Sequence, residues 1–418
     1  MSNRIIPLII ISILLLLMDL YIYQAVRGLP ARKNKNLFTW FRYAWWGYSI
    51  FILIGVFASI FLNLRLTIRA ILLVAFFITF VSKSFLVLFL LIDDIRRFGV
   101  VVKRKLVPEK KQEMAVEAQS DKISRSEFIV KAGIVVAAIP LTSLTWGVVS
   151  GAYDYRIRRQ KLVLKNLPKA FDGMKIGQLS DIHSGSFYKK KAVLGGVEML
   201  LAEKPDMVFF TGDLINNLAA EMRDYQDIFS KVSAPLGVYS TLGNHDYGDY
   251  HFGRKPSRAK AKNLADLMKS QELMGWDLLM NEHRRIKVDG EEIGILGVEN
   301  WGVGRFPKHG RLDLALKDTD DLPVKLLLSH DPSHWRAQVL ADYPQVDVTF
   351  SGHTHGMQFG VRTEYFQWSP IKYVYPEWAG LYQEGEQQLY VNVGFGFLGY
   401  PGRVGMLPEI TIFELKSA

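Results

Sequence analysis

The chemistry this sequence can do is concentrated in five short polar clusters. They are Asp181-Ile182-His183, Gly212-Asp213, Gly243-Asn244-His245-Asp246, Ser329-His330-Asp331 and Gly352-His353-Thr354-His355-Gly356. The chain has nine histidines, and five of them fall in these clusters. Residues two apart on an extended backbone point the same way. Asp181 with His183, and His353 with His355, can therefore chelate one ion or serve two neighbouring ones. Asn244 offers a neutral carbonyl oxygen and His245 a proton near neutral pH. The donors are carboxylates, an amide and imidazoles, with no thiolate, because the chain has no cysteine. Such a set suits Mn, Fe, Zn, Co or Ni better than Ca or Mg alone. It is too large for one ion and about enough for two. Two ions roughly 3.5–4 Å apart stabilise the attacking and leaving oxygens of an in-line displacement at phosphorus, given a carboxylate to bridge them.

Each cluster follows a short apolar run that reads as a buried strand: 174–179, 207–211, 237–241, 324–328 and 346–350. Further strands are expected at 161–164, 388–393 and 409–415, and a hairpin at 286–288 and 292–298 about Asp289-Gly290. Helices are expected at 191–204, 221–231, 261–274 and 333–341. This alternation predicts two sheets with helices outside. The carboxyl ends of strands in a layered α/β fold gather in one crevice, which would bring the five clusters together.

The first 150 residues are different in kind. Residues 5–23, 45–64 and 70–92 read as membrane spans. Pro7 and Asp19 are placed near the ends of the first, and Lys83 is the only charge in the third. Residues 93–127 form a charged connector with nine Lys and Arg and seven acids. Residues 128–150 are either a fourth span or a membrane-proximal helix, and 151–418 form the globular domain. The net charge is +10, but the bases crowd the loops beside the apolar segments, as membrane topology requires. Nucleic acid is therefore not an expected partner. Arg27, Arg32, Lys33, Lys35 and Arg42 lie on the first connector, and with the bases of 93–127 they outnumber those on the opposite side. With four spans, that places the globular domain outside the cytoplasm of a bacterial inner or plasma membrane; with three, it lands inside. Ser124-Arg125-Ser126-Glu127-Phe128-Ile129 resembles a twin-arginine export signal, with Ser126 in place of the second Arg.

The five clusters, in this order, resemble the calcineurin-like metallophosphoesterases over about residues 155–415. The wording of residues 178–185 and of the tail from Tyr390 to Ile410 is similar to a subgroup of membrane-anchored bacterial phosphodiesterases and UDP-2,3-diacylglucosamine hydrolase-like enzymes. The resemblance implies an α/β fold, a four-layered αββα metallophosphoesterase sandwich, here preceded by an α-helical transmembrane region of about four spans. It also implies two divalent metal ions, with Mn favoured and Fe, Zn, Co, Ni or Mg as alternatives. Asp181, His183, Asp213 and His355 would hold one ion; Asp213, Asn244, His330 and His353 would hold the other. His245 would act on the phosphoryl or leaving oxygen, with Asp246 orienting it.

Other residues have two readings. His334, four after His330, can mimic a metal pair or face solvent from a helix start. His251, His283 and His309 read as surface residues. Asn217 is a phosphate contact or a turn residue, and Arg403 a substrate partner or a structural ion pair. The aromatic loops 301–305 and 365–368 line a lipid or nucleoside pocket, dock onto the bilayer, or pack on their own domain. The expected function is hydrolysis of phosphate mono- or diesters, lipid-linked ones among them, by metal-activated hydroxide. A site outside the cytoplasm argues against a UDP-linked substrate. The alternative is a membrane sensor or scaffold that binds a phosphorylated ligand without turnover. Oligomeric state stays open.

Overall fold

The computed structural model describes residues 2–27, 35–62, 64, 66–106, 125–306 and 308–418. The chain divides into two compact units, Met1–Thr145 and Trp146–Ala418. Among the described residues, four helices are long and apolar enough to cross a membrane: α1 (Ser2–Arg27), α2 (Lys35–Phe61), α3 (Leu66–Leu106) and α4 (Arg125–Val149). Helix α2 starts well before the expected span. Helix α3 runs past 92 into the charged connector, where Asp93 pairs with Arg96 and Arg97 one turn on, at 2.7 Å each. The connector from 107 to 124, Ser124 of the export-like motif and the bases Arg32 and Lys33 lie outside the described residues.

Asp19 is not at a span end. It is fully buried and accepts from Lys83 at 2.5 Å, with Ser49 Oγ 3.4 Å from the same ammonium. Lys83 thus faces the bundle interior, where the acid of α1 neutralises it.

The second unit is built on two six-stranded sheets. One has the order β1 (Arg156–Leu164), β14 (Glu409–Ser417), β2 (Lys175–Leu179), β3 (Met207–Phe210), β4 (Val238–Ser240), β5 (Asp277–Leu278). The other has the order β12 (Gly380–Glu384), β13 (Gln387–Val391), β9 (Val348–Ser351), β8 (Lys325–Leu328), β7 (Glu291–Gly297), β6 (Glu282–Val288). A two-stranded ribbon, β10 (Val361–Arg362) and β11 (Gln367–Trp368), stands apart from both. Alternation along the buried strands explains the layering. Met207 and Phe209 pack between the sheets, while Val208 and Phe210 pack against the outer helices. Across the core, Leu326 and Leu328 face the other sheet and Leu327 faces outward. Helices α5 (Lys190–Ala202) and α8 (Arg258–Leu273) cover the first sheet through Val193, Val197, Leu200 and Leu267. Trp335 and Val339 cover the second. The result is the four-layered αββα sandwich.

The expected helix at 221–231 is split into a 3-10 turn, Ala219–Asp224, and α6 (Gln226–Phe229). The Glu221 carboxylate explains the break, because it accepts from the backbone N–H groups of Asn216, Asn217 and Leu218 instead of facing solvent. The helix expected at 333–341 begins as a π-turn at Trp335–Val339. The edge strand β12 and the ribbon carry too few buried residues to show in the apolar pattern.

A charge network is buried beside the sheets. Glu409 pairs with Arg362 and accepts from Tyr390 Oη at 2.7 Å and Thr411 Oγ1 at 2.8 Å. Burial opposes ionisation of Glu409, but Arg362 and these hydroxyls hold its carboxyl below the usual range. Glu409→Gln would leave Arg362 without a countercharge, at a cost of about 3 kcal/mol. Chemical unfolding of the detergent-solubilised protein is expected to show a lower midpoint with an unchanged slope.

Candidate active site

All five clusters follow strands that run parallel to one another within their sheet: β2, β3 and β4 in one, β8 and β9 in the other. Their carboxyl ends therefore open on one crevice. Backbone bonds tie the loops to each other. Asp181 N–H donates to Gly212 O (2.9 Å), His183 N–H to Asp213 O (3.1 Å) and Gly352 N–H to His330 O (2.9 Å). Both glycines that open onto the carboxylates are there for space. A Cβ on Gly243 would lie 2.2 Å from Asp213 Oδ1, and one on Gly352 would lie 2.2 Å from Asp181 Oδ2.

The side chains converge in two groups, Asp181 with His183 and His355, and Asp213 with His330 and His353. In the first, His183 Nε2 is 3.0 Å from His355 Nε2, which is 3.2 Å from Asp181 Oδ1. In the second, His330 Nε2 is 3.1 Å from Asp213 Oδ2 and 3.3 Å from His353 Nδ1. Asn244 Oδ1 is 2.9 Å from His353 Nδ1, while its amide nitrogen donates to Tyr250 Oη at 3.2 Å. Asp213 Oδ2 also lies 3.6 Å from His183 Nε2, so this one oxygen faces both groups. The structure brings together all seven expected donors.

Five of the seven sit in left-handed backbone: Asp181 (φ 50°), His183 (49°), Asp213 (60°), His353 (72°) and His355 (53°). That conformation costs a non-glycine residue about 1–2 kcal/mol, and such strain gathers at functional sites. Here it turns the side chains of sharply bent loops toward a common point.

The outer contacts suit a cation. His330 Nδ1 donates to Thr211 O at 2.7 Å, which turns Nε2 into the crevice as the atom a cation would take on loss of its proton. His353 Nε2 meets Tyr375 Oη at 2.8 Å and turns Nδ1 inward. Oxygen and imidazole lone pairs packed this closely, and buried, repel unless positive charge lies among them. Protons partly supply that charge in the protein alone. Burial opposes a charge on His330, yet Asp213 and Asp181 raise its pKa to about 10. Burial pushes Asp213 upward, but His330 and His245 hold it well below the usual carboxylate range. Burial lowers His183 to about 3 and His355 well below its ordinary value. The donor set therefore fits divalent ions that displace the His330 proton.

Asp246 has another role than the one expected. Its carboxylate accepts from the backbone N–H groups of Gly243 (2.8 Å), Asp213 (2.9 Å), Leu214 (2.9 Å) and Ile215 (3.3 Å). The His245 ring is held instead by the Asn216 carbonyl, 2.8 Å from Nδ1, and by Tyr250 stacked at 4.5 Å. Asp246 thus positions the Asp213 loop, and the carbonyl orients the histidine. His245 reaches the site through its backbone too, donating N–H to Asp213 Oδ1 at 2.8 Å.

The structure places the remaining candidates as follows. His334 neither faces solvent nor joins a donor group. It is fully buried, with Nδ1 2.8 Å from Ser329 Oγ and Nε2 2.8 Å from Gln338 Oε1, and it stacks on Trp301. Arg403 makes no ion pair among the described residues. Its buried guanidinium donates to the carbonyls of Gly396, Val393, Gly394 and Met406. The Asn217 carbonyl accepts from Asn263. His251 and His309 are exposed, and His283 is half-buried against the Ala315 carbonyl at 3.1 Å. Tyr250, Tyr375 and the Asn216 carbonyl escaped the sequence reading. Tyr250 lies five residues after His245, a weak signal; Tyr375 offers none, because only the fold brings it to His353.

Comparisons with known proteins place the chain in a family. Residues 174–357 match the family model "Calcineurin-like phosphoesterase". Residues 3–152 match "Probable Calcineurin-like phosphoesterase, transmembrane domain". The chain is 30% identical over 311 residues to "Uncharacterized metallophosphoesterase YkuE" of Bacillus subtilis, covering 71% of this chain and 99% of that protein. It is 29% identical over 294 residues to "Transmembrane protein with metallophosphoesterase domain" of Danio rerio, covering 68% of this chain and 63% of that one. Among solved structures, TT1561 of Thermus thermophilus aligns with a TM-score of 0.34 at 12% identity, covering 56% of this chain and 91% of that one.

Two outcomes follow. Asp246→Asn exchanges an oxygen acceptor for an N–H donor facing backbone donors, and is expected to lower stability by about 3 kcal/mol and metal content with it. Thermal unfolding and elemental analysis of the purified variant check this. Metal binding to the protein at pH 7 is expected to release about one proton from His330, so affinity rises with pH toward 10. Calorimetry in buffers of different ionisation enthalpy measures that proton.

Proposed function

The chain belongs to the calcineurin-like phosphoesterases and is a membrane protein that hydrolyses phosphoric ester bonds; on that premise we propose a metal-dependent phosphodiesterase acting on a lipid-linked substrate. The observation that carries the chemistry is Asp213 Oδ2, which faces ring nitrogens of both donor groups at 3.1 and 3.6 Å. In this reading Asp181, His183, Asp213 and His355 hold one ion, and Asp213, Asn244, His330 and His353 hold the second. Mn comes first among candidate metals because the donors mix hard oxygens with imidazoles. When bound, the ions supply Lewis-acid polarisation of a phosphoryl oxygen and activation of water.

The protein's own residues do the rest. Asp213 is locked by the His245 N–H on one oxygen and by the Asp246 clamp on its backbone, so its free oxygen cannot swing away from the shared position. The Asn216 carbonyl fixes Nδ1–H of His245. That leaves Nε2 to donate a proton or hydrogen bond to the phosphoryl or leaving oxygen. Tyr250 and Tyr375 hold Asn244 and His353 in their inward orientations. We place the catalytic unit outside the cytoplasm, since the bases concentrate on the connectors that would lie inside. A soluble UDP-linked substrate does not fit that side, and an envelope lipid phosphate does.

Hydrolysis of bis-p-nitrophenyl phosphate with added Mn tests the enzyme reading. Absence of turnover in wild type, with a phosphorylated ligand still bound, would favour the sensor. Asp213→Asn is expected to lose metal and activity together. His245→Ala is expected to keep its metal and slow turnover by about 10²–10⁴-fold, most for poor leaving groups. Equal loss of metal in both would overturn the division of roles.

A further inference from the structure

The ribbon β10–β11 follows directly on the His353–His355 loop and has no partner sheet. Its turn is tightly closed. Thr363 N–H donates to Phe366 O at 2.8 Å, and Phe366 N–H to Thr363 Oγ1 at 3.0 Å. Yet this rigid turn holds Tyr365 at 91% exposure with Phe366 exposed beside it. The segment that follows presents Tyr373 at 74% exposure and Val374 next to it. Met357 and Val361, at the ribbon's base, are exposed as well, Met357 in strained left-handed backbone (φ 55°). Ordered backbone that keeps aromatic and aliphatic side chains in water is maintained for something that covers them.

The contacts at the ribbon's base point to the occupant. Gly360 N–H donates to Val404 O (2.9 Å) and Val404 N–H to Gln358 O (2.8 Å), which fastens the ribbon's base to the loop 400–404. In that loop Arg403 N–H donates to Gly147 O at 3.2 Å. Gly147 lies on the last turn of α4, a helix long and apolar enough to cross a membrane, at the end from which the chain continues into the catalytic unit. Trp146 and Val149 are exposed on the same turn, and Tyr188 Oη donates to Val148 O at 2.8 Å. Lys189 lies 5.7 Å from the Tyr188 and Tyr153 rings, and Lys372 lies 5.3 Å from the Tyr373 ring. Aromatic rings with lysines alongside are what a helix exit carries at the level of the lipid headgroups. The ribbon's base is thus tied, through the loop 400–404, to the last turn of α4.

We propose that the β10–β11 ribbon and the Tyr373-Val374 segment dock into the headgroup layer of the membrane that α4 enters, so that the active site takes its phosphate ester from that layer. The second clause rests on the function proposed above; the first does not. The ribbon is the direct continuation of the His353–His355 loop, and Tyr375 beside the docking residues holds His353. The docked face and the reacting centre are thus two ends of one short segment.

Because the chain has no cysteine, Glu364→Cys in the full-length protein creates a single nitroxide-labelling site at the turn without removing an aromatic residue. Asp289→Cys, in the turn between β6 and β7, serves as the comparison. In nanodiscs of phosphatidylcholine and phosphatidylglycerol, the label at 364 is expected to be relaxed by oxygen and shielded from a water-soluble nickel chelate, and that at 289 the reverse. Equal access of the chelate to both labels overturns the docking. So does spin–spin broadening at 364 that vanishes on dilution with unlabelled chain, which would put a second copy there. In a second arm, Tyr365→Ser with Phe366→Ser is expected to slow hydrolysis of a phosphate ester embedded in vesicles of the same lipids by about tenfold. Hydrolysis of soluble bis-p-nitrophenyl phosphate should stay within about twofold. Unchanged rates on both substrates overturn uptake from the layer. A wild type inert on both, with the label at 364 in lipid, overturns the proposed function and leaves docking supported.

Discussion

One buried carboxylate sets the geometry on which the site depends. Asp246 accepts four backbone N–H groups, from Gly243, Asp213, Leu214 and Ile215. Those donors belong to the loops after β3 and β4, which carry Asp213, Asn244 and His245. A buried carboxylate is costly unless its oxygens are satisfied, and here the backbone satisfies both. Burial and the nearby Asp213 charge still raise it to about 7, against the N–H groups that stabilise its charge. The clamp holds Asp213 in left-handed backbone, and the His245 N–H fixes one of its oxygens. The other oxygen is left where both donor groups can use it.

The two sheets supply the rest of the constraint. Parallel pairing of β2, β3 and β4 puts three loops at one end of the first sheet. Parallel pairing of β8 with β9 does the same in the second. The apolar layer between them, with Phe209 against Phe350 and Phe350 against Phe413 at ring separations of 5.0 Å, sets how closely those ends approach. Gly352 allows the close contact with Asp181 that a larger residue would block. Precision in the site is therefore inherited from sheet packing, with strain in five donor residues as the local cost.

The membrane unit solves a different problem with the same rule. Lys83 is buried in an apolar bundle, and Asp19 of a separate helix neutralises it. In both units a buried charge is tolerated because another part of the chain answers it. The exposed ribbon is the opposite case, apolar surface that the chain itself leaves uncovered.

Much of this was legible in the residues. The order of the five clusters, each after a buried strand, determines the donor set, because side-chain chemistry and strand-end placement are local properties. The buried strands and the layering follow from apolar alternation in the same way. The roles of Asp246, His334 and Arg403 were not legible. The resemblance implies a His245–Asp246 pair, whereas the fold turns the carboxylate to backbone donors and gives the ring a carbonyl from another loop. His334 reads as a metal ligand or a solvent-facing residue, and Arg403 as a substrate partner or half of an ion pair, but packing buries both. Asp19 and Lys83 are 64 residues apart, a separation no local pattern bridges. The sequence by itself determined which atoms can bind and react. Only the tertiary structure decided which way each of them points, because orientation depends on contacts between loops and helices far apart in the chain.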